Sequence, residues 1–198
     1  LKNSHISKKY IFFSGLSLDE NPKSLRSRAI LEAENHIKTN FNNTVIIRPS
    51  IILGGGDHFL SSLLPFIKNS LFIPLFGDGA KKFQPTLIED VCSLVFFCIS
   101  ECNISSKIIE LGGPNIFSYR EFYSLIIKIL NKKRILVPVP MLIVKIFIRI
   151  IEKTPFSPIT LEQLALFDQN NIVSGSNLDF NNYNIAPQNI ISLIKNSL

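Results

Sequence analysis

The sequence predicts an α/β protein. One continuous β-branched run, "TVIIRPSII" at 44–52, has the composition of a parallel strand covered on both faces. Apolar strand-like segments alternate with segments of helical periodicity along the chain. Three Ser/Thr-x-x-Glu/Gln signatures, at Thr86–Glu89, Ser118–Glu121 and Thr160–Gln163, mark helix starts within that alternation.

Taken in order, "YIFFSG" at 10–15 is a short apolar run closed by Gly15, read as a buried strand. Asn21 followed by Pro22 starts a helix, because proline suits the first helical turn. Leu25, Ala29, Ala33 and Ile37 then recur every four residues and define one apolar face. Asn42 and Asn43 turn the chain into the run at 44–52, which "GGG" at 54–56 ends. A helix is expected from about Phe59 to Asn69. The segment 72–86 has short extended pieces around "GDG" and reads as a hairpin or paired loops. The capping signatures place helices from Thr86 to Ser100, from Ser118 to Leu130, and after Thr160. "KIIELGG" at 107–113 and "RILVPVP" at 134–140 read as strands. The tail is Asn-rich from Asn177 until "IISLIK" at 190–195, a short closing helix.

Hydrophobic residues make up 46% and charged ones 18%, which excludes a disordered chain. The chain begins at Leu1 and runs directly into a strand-like segment, so upstream sequence is expected to be missing. No signal peptide is read, and no uncharged apolar run is long enough to span a membrane. The net charge of +6 reads first as a generally basic surface with a coding bias toward Lys, Asn and Ile, and alternatively as suited to an anionic partner such as a dinucleotide, a membrane surface or an acidic subunit. Nucleic acid is not that partner, since "KKR" at 132–134 is too short for a basic stripe and no recognition motif accompanies it. Cys92, Cys98 and Cys102 lie within one expected helix without a CxxC, which reads as buried structural thiols in a reducing compartment.

Candidate chemistry is sparse. "GGGDHF" fits neither GxGxxG nor GxxxxGK[ST] and reads as a turn. Glu89 and Asp90 are adjacent carboxylates, but they stand where negative charge favours a helix N-terminus. His5, His36 and His58 have no ligand spacing, so no metal site is expected. Arg48, next to Pro49, reads as a strand end.

"FFSGLS", "IIRPSIILGGGDHF", "PLFGDGAKKFQPTLIEDV", "IIELGGPNIFSYREF" and "VPVP" occur in this order. Together they resemble the atypical extended short-chain dehydrogenase/reductase family of NAD-dependent epimerase/dehydratase type. Within it they are most similar to the NAD(P)H-binding accessory subunits of respiratory complex I and their bacterial relatives. The resemblance covers roughly residues 8–176. It implies the C-terminal part of a Rossmann-like parallel sheet at 1–70, with a smaller α/β domain at 71–198 interleaved with it around 82–112. It implies NADP or NAD as cofactor, with the Gly-rich phosphate loop outside this chain. Ser14, Gly15, Arg28, Pro49, Ser50 and Ile51 become the cofactor-binding candidates. The partners implied are complex I subunits at or near the membrane surface. The location implied is the cytoplasmic or matrix side of the respiratory membrane, peripherally associated.

Active members of that family carry a tyrosine acid/base and a lysine four residues later. No Tyr-x-x-x-Lys occurs here, and the matching positions read Ser24 and Arg28. A serine hydroxyl is too weak an acid to replace a phenol, whereas arginine keeps the positive charge that binds ribose or phosphate oxygens. A non-catalytic nucleotide-binding accessory or assembly protein is therefore expected. The alternatives are an NAD(P)-dependent reductase or nucleotide-sugar epimerase/dehydratase with an unconventional acid, and a scaffold that binds no cofactor.

"MLIVKIFIRIIEK" at 141–153 places Lys145, Arg149 and Glu152 on one helical stripe with apolar residues everywhere else up to Ile151. Two readings fit: a core helix with one wet edge, or a helix that docks on a membrane interface or a partner's groove.

Overall fold

The computed structural model describes residues 9–16, 24–101, 104, 107–151, 161, 164, 167–174, 183 and 185–196 of the 198-residue chain. In chain order the elements are β1 (Tyr10–Phe13), α1 (Leu25–Asn40), β2 (Thr44–Pro49), β3 (Ile52–Leu53), α2 (His58–Asn69), β4 (Phe72–Phe76), β5 (Lys82–Phe83), β6 (Thr86–Leu87), α3 (Ile88–Ser100), β7 (Lys107–Leu111), β8 (Phe117–Ser118), α4 (Tyr119–Ile129), β9 (Ile135–Val139), α5 (Met141–Ile151) and α6 (Ile190–Asn196). The expected α/β class is observed.

The β-branched run forms the middle of a three-stranded parallel sheet, ordered β1-β2-β7. Phe13 stands opposite Ile47, and Pro49 opposite Leu111. Thr44, Val45, Ile46 and Ile47 are all buried, as a strand covered on both faces requires. The run is not one strand to residue 52. Ser50 N–H donates to Leu111 O at 2.7 Å, and then Ile51 O accepts from Thr86 N–H at 3.0 Å. The chain thus exchanges β7 for β6 as its partner between two residues, and β3 pairs with β6 in a separate parallel ladder. Gly112 and Gly113 permit this crowding. A Cβ at Gly113 would sit 2.0 Å from Pro85 O, so only glycine fits.

Four local expectations are corrected. The "GDG" segment makes no hairpin: β4 pairs in parallel with the distant β9, and β5 pairs antiparallel with β8. Gly77 and Gly79 adopt positive φ in the turn between them. The Thr86 signature forms no capping box, because α3 starts at Ile88 behind Leu87 and has no side-chain cap; its first-turn carboxylates remain. At Ser118 both capping-box hydrogen bonds form; the third signature lies outside the described residues. Cys92 is exposed rather than buried, Cys98 is buried, and Cys102 lies outside the described residues and beyond the end of α3. Finally, α1 turns Leu25 (69% exposed) and Ala29 outward instead of burying them.

Two main cores result. One surrounds the β2-β7 pair with Val91, Leu94 and Cys98 of α3. The other centres on Phe83 and Phe122, with Tyr119 stacked on Phe83 at 4.6 Å. A smaller cluster of Val144, Ile148 and Leu164 seats α5 on Phe76 and Val139. Phe122 has no exposed surface and meets Phe59, Phe83 and Phe117 edge-on or tilted. Phe122→Ala is expected to cost about 3–5 kcal/mol, through lost burial and the cavity left behind. Denaturant unfolding of the two proteins measures it; a loss below about 1 kcal/mol would show that this cluster is not the main core.

Candidate functional site

The carboxyl ends of parallel strands are where ligands meet an open α/β sheet, and several of the predicted residues converge there. Ser14 and Gly15 follow β1, while Pro49, Ser50 and Ile51 end β2 and leave it. The two exits stay in register: Ser14 N–H donates to Ile47 O at 2.8 Å and Leu16 N–H to Pro49 O at 3.1 Å. A Cβ added at Gly15 would meet no described atom within 4 Å.

Beneath that edge lies an ion pair that the sequence did not announce. The Glu34 side chain, on α1, has no exposed surface. Arg48 reaches it from β2 in a bidentate grip, Nε to Oε1 at 2.8 Å and Nη2 to Oε2 at 2.6 Å. Ser14 donates its hydroxyl to Oε1 at 2.5 Å, and Lys38 lies 3.5 Å from Oε2 one turn along the helix. Arg48 therefore does more than end a strand: it fastens α1 to β2 directly behind Ser14. Burial, the largest single influence on Glu34, pushes its carboxyl up. The hydrogen bonds from Arg48 and Ser14, with the charges of Arg48 and Lys38, outweigh it and hold the group below the usual 4.5. Such a carboxylate stays ionised near neutral pH and is no proton shuttle.

Ser24 and Arg28 occupy the first turn of α1, at the same end of the sheet. Ser24 is the helix N-cap: its Oγ accepts Ser27 N–H at 3.0 Å and its hydroxyl donates to Ser27 Oγ at 2.9 Å. Arg28 is exposed. The Ser50 hydroxyl is buried and donates to Asn171 O at 3.2 Å, and Ile51 packs against the Phe83 core. Burial pushes Tyr119 well above the ordinary range and Tyr123 up to about 12.

Elsewhere, the glycine run is a turn as expected. Asp57, unread in the sequence, fixes it by capping α2 at Leu60 N–H (2.7 Å) and holding Gly54 N–H (3.2 Å). Asp90 is buried on α3 and accepts Gln188 N–H at 3.2 Å, tying the C-terminal segment down; burial raises its pKa. No cluster of potential metal ligands occurs among the described residues. What the described residues offer is a strand-end segment, a buried ion pair that fastens α1 to it, and an exposed cation, Arg28, in the first turn of α1.

The fold is similar to that of solved epimerases, dehydratases and reductases bound to NAD or NADP. The UDP-glucuronic acid 4-epimerase of Bacillus cereus, solved with NAD, is 23% identical with a TM-score of 0.58, covering 69% of this chain and 51% of its own. A dTDP-4-dehydrorhamnose reductase from Clostridium acetobutylicum is 20% identical at a TM-score of 0.58, covering 67% and 50%. In sequence, the homologues are the mitochondrial NADH dehydrogenase (ubiquinone) 1 alpha subcomplex subunit 9 proteins. The Arabidopsis thaliana protein is 28% identical over 192 residues, 92% of this chain and 48% of the relative. The Dictyostelium discoideum protein is 31% identical over 119 residues, 60% and 33%. The Mus musculus protein is 28% identical over 145 residues, 73% and 38%. The chain spans between a third and a half of these relatives. No protein-family model matches it.

Removing the carboxylate leaves Arg48 half-buried without its partner. Glu34→Gln is expected to cost about 3 kcal/mol at neutral pH. Because the folded pKa of Glu34 lies below its unfolded value, its contribution is present above 4.5 and is lost as pH falls through the folded value. The gap between parent and variant should therefore shrink on acidification. Asp90, shifted the other way, is common to both proteins and cancels. Urea unfolding across that pH range measures it, and a gap independent of pH would contradict the role of the charge.

Proposed function

We propose that this chain is part of an NAD(P)-binding accessory or assembly protein of respiratory complex I that turns over no substrate of its own. The observation that carries the reading is the similarity to the subunit 9 proteins over 92% of the chain. The geometry agrees with it. The space at Gly15 would let a ligand approach the strand end, and Arg28 would offer an exposed cation to its ribose or phosphate oxygens. NADP or NAD, when bound, would supply redox chemistry or serve as a structural ligand. Ser14, Gly15, Pro49, Ser50 and Ile51 form the edge it would meet. Ser24 supplies no acid: its hydroxyl is spent on the helix cap, and a serine could not protonate a carbonyl near neutral pH.

In this reading residues 1–70 belong to the nucleotide-binding unit, which the chain rejoins within 82–112, and the rest of 71–198 forms the smaller unit. The parallel pairing of β7 with β2 supports the interleaving. The partners are complex I subunits at the matrix or cytoplasmic face of the membrane, reached in part through the helix at 141–153. The mitochondrial names of the relatives support that location. Among the described residues, no helix is long and apolar enough to cross a membrane. The reductase or epimerase reading keeps the support of the structural neighbours' names alone.

Calorimetric titration with NADPH and NADH tests the proposal. The full-length protein should bind one of them, Arg28→Ala should weaken that binding about tenfold, and no alcohol, ketone or nucleotide sugar should be converted. Absence of binding favours the scaffold reading. Turnover abolished by Ser24→Ala would establish an enzyme.

A further inference from the structure

The helix at 141–153 is not the core helix with one wet edge that its composition also allowed. Val144 and Ile148 of α5 are buried, but Leu142, Ile143, Ile146, Phe147 and Ile150 are 54–69% exposed. At 100° per residue, these five span the side of the helix opposite its seat, with Lys145 and Arg149 along one flank. Ile146 points most directly away from the core, so it is a better probe of this face than its place beside Lys145 suggests.

The surface does not end with the helix. Side chains alternate along the β4-β9 ribbon, so Phe72, Pro74 and Phe76 share a face with Ile135, Val137 and Val139. α5 sits on Phe76 and Val139, the far end of that face. Phe72, Pro74, Ile135 and Val137 remain exposed beside it. Helix and ribbon together make one stepped apolar surface turned the same way.

The charges on the elements that build this surface are predominantly positive, with Asp168 lying against Lys145 as the exception. The chain carries no Asp or Glu from His58 to Gly77 or from Phe122 to Ile151, the stretches that build it. Lys132 and Lys133, just before β9, are exposed, as are Lys68 near the end of α2 and Lys128 near the end of α4. At the helix end Lys145 pairs with Asp168 at 3.3 Å, both half-exposed. Arg149 is exposed on the same flank of the helix.

We infer that the outward face of α5 and the open part of the β4-β9 ribbon form a docking surface for an anionic phospholipid bilayer. The apolar side chains enter the headgroup boundary while the flanking lysines and Arg149 reach lipid phosphates. Charge complementarity selects this occupant: a hydrophobic protein groove needs no cationic border, whereas an anionic interface attracts one. The inference deepens the peripheral location in the proposed function but uses neither nucleotide nor complex I.

Vesicle sedimentation with the 198-residue chain tests it, without nucleotide and without any respiratory protein. The chain should associate with vesicles of equal parts phosphatidylcholine and phosphatidylserine, and much less with phosphatidylcholine alone or in concentrated salt. Ile146→Asp should reduce the association about tenfold or more, and Lys132→Glu with Lys133→Glu should reduce it with the apolar face intact. Circular dichroism and thermal melting of each variant should match the parent, because these side chains are already in water. Three results would overturn the inference: no association with the mixed vesicles, association unchanged by Ile146→Asp, or concentration-dependent dimers that Ile146→Asp dissolves, which would assign the face to a second copy. If Ile146→Asp does not fold, Phe72→Asp on the ribbon serves the same comparison. Nucleotide binding is read in a separate titration, so failure of one leaves the other standing.

Discussion

One buried carboxylate decides how the first helix meets the sheet. Glu34 is the only residue of α1 with no exposed surface, and no apolar side chain of that helix is fully buried. Its docking therefore relies on the bidentate grip of Arg48 and the half-buried Ile30, Ala33 and Ile37. A buried pair adds little net stability compared with good apolar packing, yet it is costly to break and demanding in geometry. It sets the rotation of α1, which is why Leu25 and Ala29 face outward. It also places Ser24, Arg28 and Ser14 at one end of the sheet, and through the Ser14 hydroxyl it orients the strand exit itself.

A second constraint is the way β2 changes neighbours. Its ladder to β7 passes at Ser50 and Ile51 to β6, and Gly112 and Gly113 allow the chains to approach that closely. The basic residues divide along the same architecture. Lys9 donates to the carbonyls of Cys98 and Glu101 at the end of α3, Arg134 to those of Ile67 and Lys68 at the end of α2, and Arg120 to Asp78 O in the glycine turn. These cations satisfy helix ends and a turn. The cations left exposed around α5 and the start of β9 border the apolar surface.

Much of the fold was legible because its signals are local. The β-branched run could only be a central strand, the Ser118–Glu121 box formed as read, and "ELGGP" ended a strand at a crowded crossing. What escaped depended on distant partners. β4 and β9 are joined in parallel across several intervening elements, so nothing in "FIPLF" names its neighbour. Thr86 matched a capping pattern, but its backbone N–H was already committed to Ile51 and the helix opened two residues later. Nothing in the sequence singled out Glu34, because its partner lies on another element. α5 was ambiguous for a different reason: isoleucines on every side of a helix read alike whether protein or lipid covers them. At the candidate site, Ser14, Gly15 and Pro49 were proposed through motif resemblance. Composition alone would not have found them.

Hydrogen–deuterium exchange with and without the dinucleotide tests the central claim most directly, namely that the strand-end edge over the Glu34–Arg48 pair is where nucleotide binds. Bound nucleotide should slow exchange at Ser14–Leu16 and in the first turn of α1, with little change around α5. Protection confined to other segments, or none at saturating nucleotide, would contradict the account.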